Sequence, residues 1–84
     1  MEELRNEEGI GTALNNIASI YDGQGDIAKA IEFYERALAV HEKSKNLTGA
    51  GYTLNNIGLI YLNNHQLSRA LKYFYKAILV RALA

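Results

Sequence analysis

The sequence contains no cysteine, so the chain can form neither a disulfide nor a thiolate metal site. It also lacks any apolar run close to the roughly 18 residues that a membrane span needs. Its opening residues, MEELR, do not resemble a signal peptide. No stretch alternates polar and apolar residues with the period of two that indicates a β-strand. These absences predict a helical, soluble, cytoplasmic protein that has no membrane partner.

The residues that are present indicate a small globular domain. The chain has 84 residues, of which 49% are hydrophobic and 21% charged, a balance typical of folded rather than disordered proteins. A core of this size is only marginally stable without neighbours that share it.

A net charge of zero conceals an asymmetry between the two halves. Residues 1–44 contain all nine acidic residues and four basic ones, a net charge of −5. Residues 45–84 contain five basic residues and no acidic one, a net charge of +5. Such an asymmetry bears on association rather than on fold.

One segment occurs twice. LNNIASIY at residues 14–21 returns as LNNIGLIY at residues 54–61, an offset of 40. The same offset joins identical residues along most of the chain: Gly9 and Gly49, Gly11 and Gly51, Ala30 and Ala70, Ala37 and Ala77, and Val40 and Val80. A fixed period of about 20–50 residues is the signature of a repeat protein. The chain therefore consists of two copies of one unit.

Each copy predicts two helices joined by a turn. In the first copy Asn6 is the expected N-cap, and Gly23 and Gly25 end the first helix. Asp26 is the expected cap of the second helix, which should end around residues 43–45. The apolar residues of both helices recur at helical spacing: Leu14, Ile17, Ala18 and Tyr21, then Ile27, Ala30, Ile31, Tyr34, Ala37 and Leu38.

The second copy opens with residues 46–48 and repeats the pattern. Its first helix should end at Asn63 and Asn64, with asparagine in the left-handed position that closes a helix. Small residues are expected to let the two helices of each hairpin approach closely, with Ala18 facing Ala30 and Ala37, and Gly58 facing their counterparts. The fold class is all-α, with two helical hairpins.

These residues resemble the tetratricopeptide repeat (TPR), whose signature is Leu, Leu-Gly, Tyr, Ala, Phe, Ala. The matching positions are Leu14, Ile17-Ala18, Tyr21, Ala30, Tyr34 and Ala37, and then Leu54, Ile57-Gly58, Tyr61, Ala70, Phe74 and Ala77. The repeat offset of 40 exceeds the family's usual unit of about 34 residues, and Glu42 stands where the family has proline, so longer helices are implied. Length and the Leu-Asn-Asn-Ile segment resemble the subclass of kinesin light chains, Pins-type polarity adaptors and bacterial signalling proteins.

The resemblance implies a short right-handed α-solenoid, part of a longer array. Residues 1–6 would be the remnant of a preceding repeat helix, residues 7–46 the first repeat and residues 47–84 the second.

The resemblance also implies a function, which is to bind a protein or peptide segment in a concave groove lined by the first helix of each repeat. Asparagine suits such a groove because its amide both donates and accepts hydrogen bonds. The alternative is that one asparagine of each pair only caps or bridges within its own repeat. The implied groove residues are Thr12, Asn15, Asn16, Ser19, Asp22, Tyr52, Asn55, Asn56, Leu59 and Leu62. A groove without lysine or arginine does not predict binding of a C-terminal carboxylate.

Other candidate sites have simpler explanations. Gly9 to Gly11 and Gly23 to Gly25 follow no strand and lack the lysine of a phosphate loop, so both are interpreted as turns. His41 and His65 have no partner at metal-ligand spacing and are interpreted as surface or seam residues. Glu32 and Glu35 are expected to face solvent on the second helix. No residue set indicates catalysis, a cofactor or a metal, and we predict that the protein is not an enzyme.

The basic residues of the last helix are a further candidate. Arg69, Lys72 and Lys76 beside Tyr73 could form a nucleic-acid stripe, but a solvated convex face is the favoured explanation, and we do not expect nucleic acid as a partner.

A second function remains open, a self-assembling unit whose main partner is another copy of itself, as a homodimer or higher oligomer. We expect the last helix to expose apolar residues for this purpose: Ile78, Leu79, Val80 and Leu83. The opposite charges of the two halves would favour such a meeting. End-to-end or groove-mediated association is favoured over domain swapping, because Gly49 and Gly51 oppose fusion of the second and third helices.

Overall fold

The computed structural model of the protein describes the backbone of residues 2–84 and the side chains of residues 8–84. Over these residues the chain forms helices joined by tight turns, with no strand, as predicted. The helices are α1 (Glu2–Gly23), α2 (Ile27–Lys43), α3 (Leu47–Asn63) and α4 (Leu67–Leu83).

The start of α1 differs from the expectation. The helix runs without interruption from Glu2, so the predicted N-cap at Asn6 is wrong. Glutamate, leucine and arginine before Asn6 are good helix formers, and an asparagine inside a helix costs too little to stop it. Met1 lies outside the described residues, and the assignment of residues 1–6 to a preceding repeat stays a prediction.

The three turns between helices are built alike and recur at equal intervals along the chain. Gly25, Lys45 and His65 have φ values of 80°, 58° and 62°, in the left-handed region. The amide that follows each of them donates to a carbonyl five positions earlier, as Asp26 N does to Tyr21 O at 2.9 Å. This is the Schellman motif, which satisfies the carbonyls at a helix end. The same type of turn thus reverses the direction of the chain three times.

The end of α3 corrects one detail of the sequence interpretation. The helix ends at Asn63 as predicted, but the left-handed residue is His65 rather than an asparagine. Asn64 has a φ of −97° and its side-chain amide donates to Ile60 O at 2.9 Å. The prediction is wrong because the Schellman geometry requires the left-handed conformation one residue further along.

Two glycines near the start of the chain lie in a helix and not in the turn that the sequence predicted. Gly9 and Gly11 lie inside α1, so the interpretation of this stretch as a turn is wrong. Gly23 and Gly25 do belong to a turn, as predicted.

The residue after each left-handed position also begins the next helix. Asp26 accepts a hydrogen bond from Lys29 N at 3.2 Å, and Asn46 accepts one from Gly49 N at 3.0 Å. Both are side-chain N-caps. The cap at Asp26 was predicted, and Asn46 stands where the second copy was expected to open. Gln66 occupies the same position before α4 and makes no such bond. Helix α4 is therefore the one among α2, α3 and α4 that lacks a side-chain cap.

Small residues close each hairpin, as expected from the sequence. Ala18, Ala30 and Ala37 are completely buried, and so is Ala70 in the second hairpin. Without longer side chains between them the helix backbones can approach closely. Gly58 continues this pattern, because a Cβ there would lie 2.6 Å from the Phe74 ring.

The core lies where α2 packs against α3. Tyr34 of α2 shares one buried cluster with Ile57 and Ile60 of α3. Leu38, one turn further along α2, shares a second cluster with Leu54. The two hairpins are thus joined by two apolar clusters one turn apart along α2.

An aromatic pair flanked by cations recurs in both hairpins. In the first, Tyr21 stacks on Phe33 at 5.5 Å between ring centroids, with Lys29 over Tyr21 and Arg36 over Phe33. The second hairpin repeats the arrangement at the same offset of 40: Tyr61, Tyr73, Arg69 and Lys76. Such pairs stabilise the surface of each hairpin by about 0.5–1 kcal/mol per cation.

Replacing Gln66 by aspartate should stabilise the protein. Aspartate can accept from a free amide in the first turn of α4 and places a negative charge at the helix N-terminus. We expect Gln66→Asp to raise the free energy of unfolding by about 0.5–2 kcal/mol. Urea unfolding followed by circular dichroism measures it. The reverse change at the equivalent cap, Asp26→Gln, should lower the same quantity, and an unchanged midpoint in both variants would contradict this account of the turns.

Candidate functional site

The first helices of the two hairpins lie side by side and share a polar contact. Thr53 of α3 is completely buried, and its hydroxyl donates to Asn15 Oδ1 of α1 at 3.1 Å. Asn15 itself is 8% exposed. This buried bond sets the relative position of α1 and α3.

A cavity of about 430 Å³ opens between these helices near the start of α3. Thr12 and Asn16 of α1 lie on one side and Tyr52 of α3 on the other. Asn15, His41, Asn46, Thr48 and Gly49 complete the lining. A concave space with several polar groups and one aromatic ring is the form that ligand sites usually take.

His41 fills the space between two glycines. The side chain is 4% exposed and projects from the end of α2. A Cβ on Gly11 of α1 would lie 2.8 Å from its ring, and a Cβ on Gly49 of α3 would lie 2.6 Å from it. Only glycine lets both helices approach the imidazole this closely.

The environment of His41 favours its neutral form. Burial lowers the pKa of His41, and the nearby charge of Glu8 opposes this by raising it. Asn46 Nδ2 lies 3.3 Å from His41 Nδ1, so a neutral ring that accepts at Nδ1 satisfies both groups. Asn46 in turn caps α3 through its carbonyl oxygen. The histidine, the cap and the cavity wall are therefore one connected unit.

Tyr34 lies in the core and is 3% exposed. Burial raises the pKa of Tyr34, the hydrogen bond with Ser19 lowers it, and the neighbouring Asp22 and Tyr52 raise it further. Ser19 and Asp22 of the predicted groove are thus close to the hydroxyl of a core tyrosine. Both are exposed to solvent.

The structure brings only some of the ten predicted groove residues into the cavity. Thr12, Asn15, Asn16 and Tyr52 line it. The other six lie outside its lining: Ser19, Asp22, Asn55, Asn56, Leu59 and Leu62.

Two of these six residues form an exposed apolar surface on α3. Leu59 is 43% exposed and Leu62 is 42% exposed, whereas Asn55 and Asn56 are half-buried. The bond to Thr53 makes Asn15 a bridge between the two repeats, not within its own repeat as the alternative supposed, whereas Asn16 is exposed.

Four cavity residues were not predicted from the sequence: His41, Asn46, Thr48 and Gly49. His41 was interpreted as a surface or seam residue, and it is a buried seam residue. Glycine within a helix indicates a close approach of another group, so Gly11 and Gly49 were the signal for it.

The remaining candidates have structural explanations. Glu32 and Glu35 are exposed as expected, and Glu35 accepts a hydrogen bond from the Tyr73 hydroxyl at 2.9 Å. Burial, together with the hydrogen bond and charge of Glu35, raises the pKa of Tyr73 to about 12. The amino group of Lys72, like that of Lys76, lies over the ring of Tyr73.

The described residues lack both a metal-binding cluster and a membrane-spanning helix. They contain no group of three or more side chains suited to hold a metal ion. None of their helices has the length and hydropathy needed to cross a bilayer.

Comparison with known proteins gives one result. A family model described as tetratricopeptide repeat matches residues 9–82, nearly the whole chain. Searches of curated proteins and of solved structures returned no match.

Gly49→Ala should destabilise the protein although alanine is the better helix former. The new methyl group would lie 2.6 Å from His41, and a well-packed interior resists such overpacking at a cost of about 1–3 kcal/mol. The matched control is Gly9→Ala, at the equivalent position of α1, where a Cβ has nothing within 4 Å. That change should stabilise the protein by about 1 kcal/mol. Thermal unfolding of both variants measures the contrast, and equal effects would contradict the packing of His41.

Acid should destabilise the protein through His41. The folded-state pKa of His41 is lowered, so below the unfolded-state pKa of about 6.5 the unfolded chain binds a proton that the folded chain does not. Stability should therefore fall as pH decreases through about 6.5, until the folded-state pKa is passed. Urea midpoints between about pH 7.5 and 5.5 measure the slope, which His41→Gln should reduce. The exposed His65 is the control, and a slope lost in His65→Gln instead would refute the assignment.

Proposed function

The chain belongs to the tetratricopeptide repeat family, a family of non-enzymatic protein–protein interaction modules, and we propose that it binds an extended peptide segment of a partner protein. The binding surface is formed by the exposed sides of α1 and α3. The observation that carries the proposal is the cavity of about 430 Å³ between these two helices. It includes four of the ten residues that the sequence assigned to a groove.

Polar groups near the cavity suit a peptide backbone. Thr12 and Asn16 are exposed, and neither shares in the buried bond that joins α1 to α3. An asparagine amide can donate to a peptide carbonyl and accept from a peptide N–H at once. Asn15 is buried and its Oδ1 already accepts from Thr53, so we assign it to joining the two helices.

Apolar side chains on α3 suit a side-chain anchor. Tyr52, Leu59 and Leu62 recur along α3 at a spacing that keeps them on one side of the helix, and they are 57%, 43% and 42% exposed. The equivalent residues of α1 are polar: Thr12, Ser19 and Asp22. A ligand would therefore place an apolar residue against the second repeat and polar groups against the first.

Leu59→Ser should weaken peptide binding by about tenfold or more, because burying a leucine- or phenylalanine-sized anchor is worth about 1.5–3 kcal/mol. A peptide library displayed on phage provides the ligands, and fluorescence polarisation of a selected peptide measures the affinity. Leu79→Ser on α4 is the matched control, since Leu79 is also apolar and 65% exposed. Equal affinities of wild type and Leu59→Ser would remove Leu59 from the site, and failure to select any peptide would count against the proposed function.

Self-assembly is the second candidate function. The specific observation in its favour is that α4 exposes large apolar residues, with Ile78, Leu79 and Leu83 at 62%, 65% and 76% exposure. Exposed apolar surface of this kind usually marks an interaction site. The opposite net charges of residues 1–44 and 45–84 add electrostatic attraction between copies.

If the chain assembles with itself, its weight-average mass should rise with protein concentration and fall with added salt. Salt screens exposed charges over a distance of about 8–10 Å at 0.1–0.15 M, while the apolar contribution remains. Multi-angle light scattering across a concentration and salt series measures both effects. A monomer at hundreds of micromolar in low salt would exclude self-assembly and would leave peptide binding untouched.

A further inference from the structure

The offset of 40 relates a buried surface of the chain to an exposed one on α4. Leu38 of α2 packs against α3 and is 9% exposed, whereas its counterpart Ile78 on α4 is 62% exposed. Ile31 is half-buried beside α3, and its counterpart Leu71 is 43% exposed. The side of α4 that corresponds to the α3-binding side of α2 is thus apolar and open.

The same relation holds on α1. Ile57 and Ile60 of α3 pack against α2 and are 0% and 2% exposed. Their counterparts Ile17 and Ile20 on α1 are 37% and 60% exposed. Alongside them Ile10 is 51% exposed. The chain therefore carries both halves of its own internal interface as free surfaces, one at each end.

The histidine position is repeated too. His41 covers Gly11 within the first hairpin, and its counterpart Arg81, at the same offset, covers Gly51 within the second. The Cγ atom of Arg81 would lie 3.2 Å from a Cβ on Gly51. His41 also lies close to Gly49 of the following helix. Arg81 has no equivalent second glycine contact within its own chain.

Within a chain, the contact between His41 and Gly49 is neutral. The equivalent contact between two copies would be a pair of opposite charges. The counterpart of Gly49 is Gly9, around which a Cβ would meet nothing within 4 Å. The residue before Gly9 is Glu8, where the internal interface has Thr48. An Arg81 that reached Gly9 of another molecule would thus meet a carboxylate, and charge-assisted pairs between Arg and carboxylate are among the stronger polar contacts.

We propose that copies of this chain stack head to tail, with α1 of one copy on α4 of the next in the way that α3 lies on α2 within a chain. The inference rests on the self-assembly proposed above and specifies its two surfaces. They are Glu8, Gly9, Ile10, Ile17 and Ile20 on one copy, and Leu71, Ile78 and Arg81 on the other.

Charge and symmetry agree with this arrangement. The acidic half of one copy, with a net charge of −5, meets the basic half of the next, with a net charge of +5. A contact between two different surfaces is heterologous and leaves a free surface at each end, so it propagates instead of closing into a dimer. It also lengthens the surface formed by α1 and α3 with each added copy.

The arrangement narrows the set of self-association residues that the sequence suggested. Of Ile78, Leu79, Val80 and Leu83, it places Ile78 in the contact. The expectation that Val80 is exposed is wrong, because this side chain packs half-buried against the cluster of Leu54 and Ala77. The counterparts of Leu79 and Leu83 on α2 are Ala39 and Lys43, which are exposed although α3 is in place. Leu79 and Leu83 therefore lie on another side of α4.

Two single variants and their mixture test the geometry. Ile20→Asp blocks the α1 surface and Ile78→Asp blocks the α4 surface, and both residues are at least 60% exposed, so the fold should survive. Each variant alone should be monomeric at concentrations where wild type forms species larger than a dimer. Their mixture should form a dimer, because each variant keeps the surface that its partner needs. Sedimentation velocity measures the masses, and circular dichroism checks the helical content.

A matched control and a charge exchange complete the experiment. Leu79→Asp changes a neighbour of Ile78 that is just as exposed, at 65%, and should associate like wild type. Glu8→Lys and Arg81→Glu should each weaken association, and an equimolar mixture of the two should restore it, because every contact in an alternating chain then pairs opposite charges.

The outcomes separate the geometry from self-assembly itself. A wild type that is monomeric at hundreds of micromolar overturns both proposals and assigns the two surfaces to other partners. A wild type that associates, with variants that remain associated or a mixture that stays monomeric, overturns the head-to-tail geometry alone. Loss of association in Leu79→Asp, with none in Ile78→Asp, overturns it in favour of the other side of α4.

Discussion

The packing of α2 against α3 is the contact on which the rest of the structure depends. It is the interface through which one hairpin covers the core of the other, with Tyr34 and Leu38 on one side and Ile57 and Ile60 on the other. Burying a side chain such as Ile57, which is completely enclosed, contributes about 1.5–3 kcal/mol. A hairpin alone would leave these residues in water, which is why a repeat needs a neighbour.

The same contact positions the cavity between α1 and α3. Since α2 packs against both α1 and α3, the distance between those two helices depends on what α2 inserts behind them, above all His41 between Gly11 and Gly49. The hydrogen bond from Thr53 of α3 to Asn15 of α1 then joins these two helices directly. Both groups are buried, so a change in either is transmitted directly to the cavity. The packing of the helices and the shape of the cavity therefore depend on one set of residues.

The regular turns explain how a single contact can be reused. The left-handed residues Gly25, Lys45 and His65 place successive helix starts at equal intervals along the chain. Helices α1 and α3, and likewise α2 and α4, therefore present equivalent positions at the offset of the repeat. The apolar side that α2 packs against α3 therefore has a counterpart on α4, and that counterpart is exposed. The exposed isoleucines at both ends, such as Ile20 and Ile78, follow from this translation.

Much of the fold could be predicted from the sequence. The duplication of LNNI, the helical spacing of the apolar residues and the cap at Asp26 are local or periodic features, and the helices and the cap that they predicted were confirmed. These features depend on interactions within a few residues, or on a repeat that any reader of the chain can measure. They determined an all-α chain of two hairpins with the helix ends of α2 and α3 placed correctly.

The tertiary structure decided what lies between the helices. The sequence could place Asn15 and Asn16 on the same helix, but only the arrangement of α1 against α3 buries Asn15 under Thr53 and leaves Asn16 exposed. Similarly, His41 is isolated in the sequence and becomes part of the cavity wall because two glycines on other helices make room for it. The local pattern specifies which side of a helix is apolar. Which polar residue at its edge is buried depends on the distance to the next helix, a distance set by residues far away in the chain.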